Sequence, residues 1–489
     1  MNNSFHRYLR FLNIPLFLLL YSCIQKVPTP EPLYPVPTQR QVNWHQMEMN
    51  AFIHFTTNTF TDKEWGYGNE KPEVFNPSDF NADSMVHILQ IAGFKGMVLT
   101  CKHHDGFCLW PSEYTEHSVK NSGWKNGTGD VVDDFARACK KYGLKFGIYL
   151  SPWDRNRADY GQAGYIEYYR NQLKELFGKY GPVFEMWFDG ANGGDGYYGG
   201  ADEKRRIDGK TYYDWPGTLQ LVRNMEPDII FFSDAGPDIR WCGNEKGYAG
   251  EPNWNTITTD TLYAGKPGIT DLLNHGSEDG ESWVPAEVDV SIRPGWFYHA
   301  SEDSLVKQPG ELFEIYINSV GRGSNLLLNI PPDRTGNFHH SDIKSILEWR
   351  KILDETFSED LAAGSKILAS GRRGRGAEYS PSNMTDGEWE TYWATDDDVR
   401  SAEFEIILPD PEIPAYIVLQ EYIPLGQRVR KFRVEAKSED TWVEIAGGTT
   451  IGYNRILSLS PVRTNRIRVN ILDSKACPLI STVELYGAL

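Results

Sequence analysis

Between residues 50 and 330 the chain alternates short runs of β-branched, aromatic and aliphatic residues with longer stretches whose apolar positions recur at helical spacing. The short runs predict strands at Ala51–Phe55, Gly96–Thr100, Lys145–Leu150, Phe184–Phe188, Asp228–Phe232, Val288–Ile292 and Asn325–Ile330. The longer stretches predict helices at Asn81–Ala92, Val131–Tyr142, Tyr165–Tyr180, Leu219–Met225 and Leu312–Val320. Asp130 and Asp133 place acids at the start of one helix and Gly143 follows its end, as capping requires. Strand–helix alternation implies a parallel sheet, and its length suits a (β/α)8-like barrel over residues 39–356. A doubly wound sheet is the alternative, although no GxGxxG string opens the first βα unit.

After Pro331 the pattern passes through a further predicted helix, Asp342–Thr356, and a glycine-rich loop. It then changes to period-two alternation at Ala402–Leu408, Ala415–Gln420, Lys431–Ala436, Thr441–Ile445, Arg455–Leu459, Arg466–Ile471 and Ser481–Tyr486. Short strands at this spacing predict a C-terminal β-sandwich over residues 357–489.

The first residues read differently. Arg7 and Arg10, with no acid nearby, precede the apolar run Phe11–Leu20 and then Tyr21-Ser22-Cys23. A basic start, a short apolar stretch and a small residue before the cut predict a signal peptide over residues 1–23. Cys after Ser resembles a lipoprotein box in which Cys23 becomes the lipidated first residue; an ordinary secretory leader with an incidental Cys is the other reading. Prolines at 28, 30, 32, 35 and 37 predict an extended tether over residues 24–38. The expected location is the periplasm or the outer membrane of a bacterium, with a lipid anchor as the one membrane contact. The remaining cysteines, Cys101, Cys108, Cys139, Cys242 and Cys477, are odd in number and lack metal-type spacing, so they read as small buried hydrophobes.

Charge narrows the partners. With 49 basic and 67 acidic side chains, the net charge of −18 opposes binding to nucleic acid. Aromatic residues reach 13%, with 15 Trp, 26 Tyr and 23 Phe, a surplus that suits stacking on sugar faces as well as β-rich cores.

Five predicted strands end in polar text. His54 ends the first, Lys102-His103-His104-Asp105 follow the second, and Ser151-Pro152-Trp153-Asp154 the third. Asp189-Gly190 follow the fourth and Ser233-Asp234 the fifth. Strand C-termini of a barrel converge on one mouth, where catalytic groups lie. Glycoside hydrolysis needs two carboxyls, and Asp189 is the nucleophile candidate: Gly190 admits close approach and Trp187 shares its strand face. An Asp capping a turn is the bland reading, outweighed by the histidines that converge on the same mouth. Adjacent His103 and His104 lack the spacing of metal ligands, whereas neutral imidazoles bonding sugar hydroxyls explain them without one.

These residues lie in strings that resemble glycoside hydrolase family 29 α-L-fucosidases. The strings are His54-Phe55-Thr56-Thr57-Asn58-Thr59-Phe60-Thr61-Asp62-Lys63-Glu64-Trp65-Gly66, Lys102-His103-His104-Asp105-Gly106-Phe107, Tyr149-Leu150-Ser151-Pro152-Trp153, Trp187-Phe188-Asp189-Gly190 and Asn325-Leu326-Leu327-Leu328-Asn329. The resemblance implies a retaining, exo-acting enzyme without a required cofactor, working through a covalent fucosyl-enzyme. It implies Asp189 as nucleophile, with His54, Glu64, Trp65, His103, His104, Tyr149 and Trp187 around the fucose. Glu287, Arg293 and Trp296 match family text near the aglycone or the fucose. Ser233–Glu245 resembles the subgroup selective for α-1,3/1,4-linked fucose on branched, Lewis-type glycans, which implies Glu245 as acid/base; Glu251, in the same predicted loop, is not separated from it by spacing. Asn383–Gly387, Thr391–Asp396 and Ser481–Gly487 resemble a discoidin-like module of carbohydrate-binding family 32, with a possible structural Ca2+ near Asp386. The expected partners are fucosylated oligosaccharides or glycoconjugates. Two rivals stand beside this reading: a broad-specificity fucosidase of the family's other subgroup, and a non-catalytic glycan-binding lipoprotein.

Overall fold

The computed structural model describes residues 27–488. The expected signal peptide and Cys23 lie outside the described residues.

Eight parallel strands close into a barrel: β1 Met49–Ile53, β2 Gly96–Lys102, β3 Lys145–Leu150, β4 Glu185–Trp187, β5 Ile230–Ser233, β6 Ile239–Trp241, β7 Ala286–Ser291 and β8 Asn325–Asn329. Each strand pairs with its neighbours in sequence, and β1 closes on β8 with Met49 opposite Leu326. Alternate side chains point in and out. The outward set, such as Ala51, Ile53, Met97, Leu99, Ile148, Met186, Val288, Val290, Leu326 and Leu328, packs under the surrounding helices in one large core. The inward set, with Phe52, Val98, Tyr149, Trp187, Phe232 and Leu327, fills the barrel. Helix Val131–Tyr142 shows the local logic: Asp130 accepts the Asp133 N–H at its start, and Gly143 takes the left-handed conformation at its end, φ 76°.

Seven of the eight strands stand within a few residues of their predicted positions. The exception is β6, whose text is short and holds Arg240 in the middle. That guanidinium points out of the barrel, fully buried, and donates to the carbonyls of Leu273 (2.8 Å), Trp254 (3.0 Å) and Val284. A charge inside a strand therefore signals a loop-gathering role, and the hydrophobic pattern alone does not show it.

The C-terminal region forms two antiparallel sheets consistent with a β-sandwich. Its strands are β9 Lys366–Ala369, β10 Trp393–Ala394, β11 Ala402–Glu412, β12 Pro414–Glu421, β13 Val429–Ser438, β14 Thr441–Gly448, β15 Arg455–Ser458, β16 Thr464–Ser474 and β17 Leu479–Gly487. One sheet has the order β9-β11-β16-β13-β14 and the other β10-β17-β12-β15. Val418, Ile456 and Tyr486 of the second sheet pack on Tyr316, Ile317 and Phe357 of the barrel's last helices. At Gly321 an added Cβ would stand 3.0 Å from Ile456 Cβ, so the two units approach too closely there for a side chain.

The proline-rich stretch is laid along the sandwich. Leu33 N–H donates to Leu425 O (3.0 Å), while Arg428 and Arg373 donate to Glu31 O and Pro28 O (both 2.7 Å). An extended chain leaves its backbone polar groups free, and two arginines of the sandwich use that.

Lys102 ties the second and third strands together outside the barrel. Its ammonium meets Asp154 Oδ2 at 3.1 Å and Gln172 Oε1 at 2.9 Å, inside a cage of Tyr165, Tyr168 and Tyr169. Both charges are out of solvent, at 0% and 1% exposure. Lys102→Ala is expected to cost about 3–5 kcal/mol, because it strands a buried carboxylate. Denaturant unfolding checks this, with Lys102→Ala/Asp154→Ala losing less than the sum of its single changes.

Candidate active site

The inward positions at the C-terminal ends of the strands converge on one mouth. Trp187 stacks on Phe232 with ring centroids 3.9 Å apart, and the chain then leaves β4 at Asp189. Gly190 follows because the chain passes against Asp234; a Cβ there would lie 2.1 Å from its Oδ2.

Asp189 is held by two donors. Tyr149 O–H donates to Oδ2 at 2.8 Å and Ala191 N–H to Oδ1 at 2.6 Å, while His104 Nε2 stands 3.7 Å from Oδ2. Its side chain keeps 23% exposure, so it opens to the mouth.

The histidines are set by their partners. Ser151 Oγ donates to Trp153 O (2.6 Å), which leaves it only lone pairs for His104 Nδ1 at 2.7 Å. Nδ1 therefore carries the proton and Nε2 is an acceptor toward the mouth. Asn329 Nδ2 donates to Ser291 Oγ and Trp296 O, so its Oδ1, 2.9 Å from His54 Nδ1, fixes the same tautomer in His54. Burial pushes His54 down to about 3; it pushes His104 down to about 4 against the pull of Asp189. His103 is lowered well below the ordinary range, first by burial and then by the neighbouring imidazoles, and its Nδ1 has no partner. The group is neutral at physiological pH.

The rim is aromatic. Trp65, 52% exposed, stands edge-on to His104 and Trp153. Glu64 accepts the Trp296 and Phe297 N–H groups and faces His299 Nε2 at 3.0 Å. Trp296 Nε1 in turn donates to Glu245 Oε2 at 3.3 Å. Although Glu245 lies on the exposed rim, loss of hydration raises its carboxyl above the usual range, and the charges of Asp189 and Glu64 add to this. Glu251 is committed elsewhere, to an ion pair with Arg455 of β15. The structure thus separates two glutamates that the sequence leaves together.

Other residues fall away from the mouth. Glu287 lies on the barrel floor, where it takes the Trp187 indole N–H at 3.1 Å. Arg293 is buried between Asp342 and Asp303, 3.0 Å from each. Asp386 spends its oxygens on Glu388 N–H (2.8 Å) and Thr391 O–H (2.7 Å) in its own turn. Among the described residues no group of three or more His, Cys, Asp or Glu gathers as metal ligands.

Two carboxyls were not singled out from the sequence as site residues. Asp234 accepts Gly265 N–H at 2.7 Å and is raised to about 6, first by burial and then by Asp189. Asp289 accepts Trp241 Nε1–H at 2.8 Å and is raised well above its ordinary value by burial, then by Glu245. The period-two face Glu287, Asp289, Ser291 on β7 was the available signal.

A parallel barrel with a carboxylate, a second raised carboxyl and an aromatic, imidazole-lined mouth defines a glycoside-hydrolase type of site. The alpha-L-fucosidase family model matches residues 32–355, and the chain belongs to that family, glycoside hydrolase family 29. It is 40% identical over 469 residues to alpha-L-fucosidase 1 of Arabidopsis thaliana, covering 94% of this chain and 89% of that protein. A Ruminococcus gnavus family 29 fucosidase solved with fucose superposes with a TM-score of 0.85 at 34% identity, over 94% of this chain and 97% of that one. A family 29 member from an unknown rumen bacterium gives 0.85 at 42% identity, over 94% and 78%.

The expectation of a bacterial lipoprotein does not hold. The curated relatives that match 94% of the chain, from Arabidopsis thaliana and Oryza sativa subsp. japonica, are plant proteins, and a bacterial lipoprotein location is not supported. The expectation rested on residues 1–23, which lie outside the described residues.

The tautomers give a direct test. Nitrogen-15 NMR of the imidazoles is expected to show His54 and His104 neutral, protonated at Nδ1, from about pH 8 down to about pH 5. A free histidine would titrate in that interval, whereas these two gain a proton only near their depressed values.

Proposed function

We propose that the protein is a retaining, exo-acting α-L-fucosidase that removes terminal α-1,3/1,4-linked fucose from branched glycans. The observation that carries this reading is the pairing at the mouth: Asp189, oriented by Tyr149 and Ala191, acts electrostatically on Glu245, whose carboxyl is raised and bonded to Trp296.

In the first step Asp189 attacks the anomeric carbon and Glu245 gives its proton to the leaving oxygen, forming the fucosyl-enzyme. In the second, ionised Glu245 takes a proton from water, which displaces Asp189 with net retention. His54 and His104 present Nε2 lone pairs to fucose hydroxyls, and His103 lies between them. Trp65, Trp187 and Trp296 supply apolar faces, and Glu64 fixes the backbone that carries Trp296. Selectivity for branched glycans is supported by the Gly243-Asn244-Glu245 string and by the rim position of Glu245.

Asp189→Ala is expected to abolish turnover while the protein stays folded, and azide is expected to restore release as the inverted β-fucosyl azide. Glu245→Ala is expected to lower kcat/KM for a branched fucosyl trisaccharide by roughly 10²–10⁴-fold and for nitrophenyl fucoside far less, with azide giving the α-product. Undiminished trisaccharide hydrolysis by Glu245→Ala refutes its role.

The acid must be protonated in the first step, so activity falls as pH rises through its pKa. Because that pKa is raised, the alkaline limb of kcat/KM is expected above the ordinary glutamate range, and Glu245→Gln should remove it. Comparing release from a linear α-1,2-fucosyl-lactose with a branched Lewis trisaccharide tests linkage; equal rates would favour the broad-specificity reading.

A further inference from the structure

The loop from Cys242 to Asn255 leaves β6 and returns to the short ribbon Thr256–Ile257/Ser282–Trp283, carrying Glu245 near its start. Asn244 shapes the tip: its Nδ2 donates to Tyr248 O and its Oδ1 accepts Lys246 N–H, both at 3.0 Å. The barrel holds the middle through Ala249, whose N–H donates to Asn318 O (2.9 Å) and whose O accepts from Arg322 (2.7 Å). The far half is held from both sides: the barrel takes Asn253 Nδ2 at Arg322 O (2.8 Å) and Ser324 Oγ (3.1 Å) and reaches Trp254 O through Arg240 (3.0 Å), and the sandwich adds its own contacts. Arg455 donates to Glu251, Thr450 Oγ1 accepts Asn253 N–H at 3.0 Å, and Gln427 accepts Asn255 N–H at 2.8 Å while donating to Asn253 O at 2.9 Å. Arg455 keeps 5% side-chain exposure and Glu251 35%, so a buried guanidinium reaches out to a carboxylate at the surface.

We infer that Arg455 is a positioning residue: by gripping Glu251 it fixes the loop that presents Glu245, which makes the C-terminal sandwich a working part of the active site. The inference rests on Glu245 being the acid/base. Gly243 and Gly247, both at positive φ, flank Glu245, so the tip has little stiffness of its own. A proton donor displaced by about 1 Å can lose on the order of 10²-fold in rate. Rigidity is therefore borrowed from the loop's attachments: Asn274 holds the near side at Cys242 O (2.8 Å), and the sandwich holds the far side through Arg455, Thr450 and Gln427.

The test uses the full chain with Arg455→Met, Arg455→Lys, Glu251→Gln, the Arg455→Met/Glu251→Gln double variant and Glu245→Ala, each assayed on nitrophenyl fucoside and on a branched fucosyl trisaccharide. kcat/KM stops at the first irreversible step, so the activated substrate hardly needs an acid while the trisaccharide does. Arg455→Met is expected to lower trisaccharide kcat/KM by about 10-fold or more and nitrophenyl kcat/KM by only a few-fold. Glu251→Gln should match it, the double variant should be no worse than either, and Arg455→Lys should recover part of the loss.

Equal losses on both substrates, or no loss on either, would overturn the inference. If Arg455→Met fails to fold, Thr450→Val, which removes one clamp hydrogen bond, and Gln427→Met, which removes two, should show the same substrate split. A split in Glu245→Ala without one in the clamp variants sinks the clamp alone. No split in Glu245→Ala sinks the acid/base reading on which the clamp depends.

Discussion

One negative charge at the barrel mouth orders the groups around it. Asp189 has a phenol and a backbone N–H as donors, whereas its carboxyl neighbours are less well served. Asp234 takes the Gly265 N–H and Asp289 the Trp241 indole N–H, and both are raised by burial with Asp189 adding to the shift. Like charges crowded in a medium of low polarity cannot all ionise. Burial is the first cause of the rise in Asp234, Asp289 and Glu245, and the field of Asp189 adds to it in each.

The histidines follow the same rule with opposite sign. Positive charge near Asp189 would be favoured by Coulomb's law, yet burial outweighs it in His104. Ser151 and Asn329 then settle which nitrogen bears the proton, because each has its own hydrogen already committed or its amide already oriented. A second row of ordinary polar residues thus converts a cluster of imidazoles into lone pairs aimed at hydroxyl groups. Neutral acceptors suit a polyhydroxylated ligand better than fixed charges, since each hydroxyl offers one proton and no net charge.

Much of the fold was legible because burial on both faces writes long apolar runs. β3 stands at Lys145–Leu150, as its text predicts, and the mouth residues follow from where such runs stop. What was hidden depends on contacts far apart in sequence. β6 contains an arginine whose partners lie more than ten residues downstream, in a loop at Trp254 and in the short helix Thr270–His275 at Leu273. Glu287 reads like a mouth residue but occurs two residues before Asp289 on the inward face of β7, which sets it deeper in the barrel. Glu245 and Glu251 share a loop, and only the docking of a second domain tells them apart. The proline-rich segment reads as free spacer because its backbone is unbonded locally, yet that property is what Arg373 and Arg428 exploit.

The barrel floor shows how a buried charge can serve the mouth without touching it. Glu185 and Glu287 are fully buried close together, and Oε1 of each has no hydrogen-bond partner among the described residues. Two neighbouring carboxyls in a dry interior do not both ionise, so at least one of them holds a proton. Burial indeed raises both, Glu185 to about 8 and Glu287 well above its ordinary range. The remaining oxygens take the indole N–H groups of Trp44 at 3.2 Å and Trp187 at 3.1 Å. With its N–H pinned to the floor and its ring stacked on Phe232, Trp187 has no freedom to turn, and Tyr149 packs against it on the side that leads to Asp189. The orientation of Tyr149, the phenol donor to Asp189, is therefore supported by the indole and carboxyl contacts one layer below, and the mouth is only as rigid as that floor.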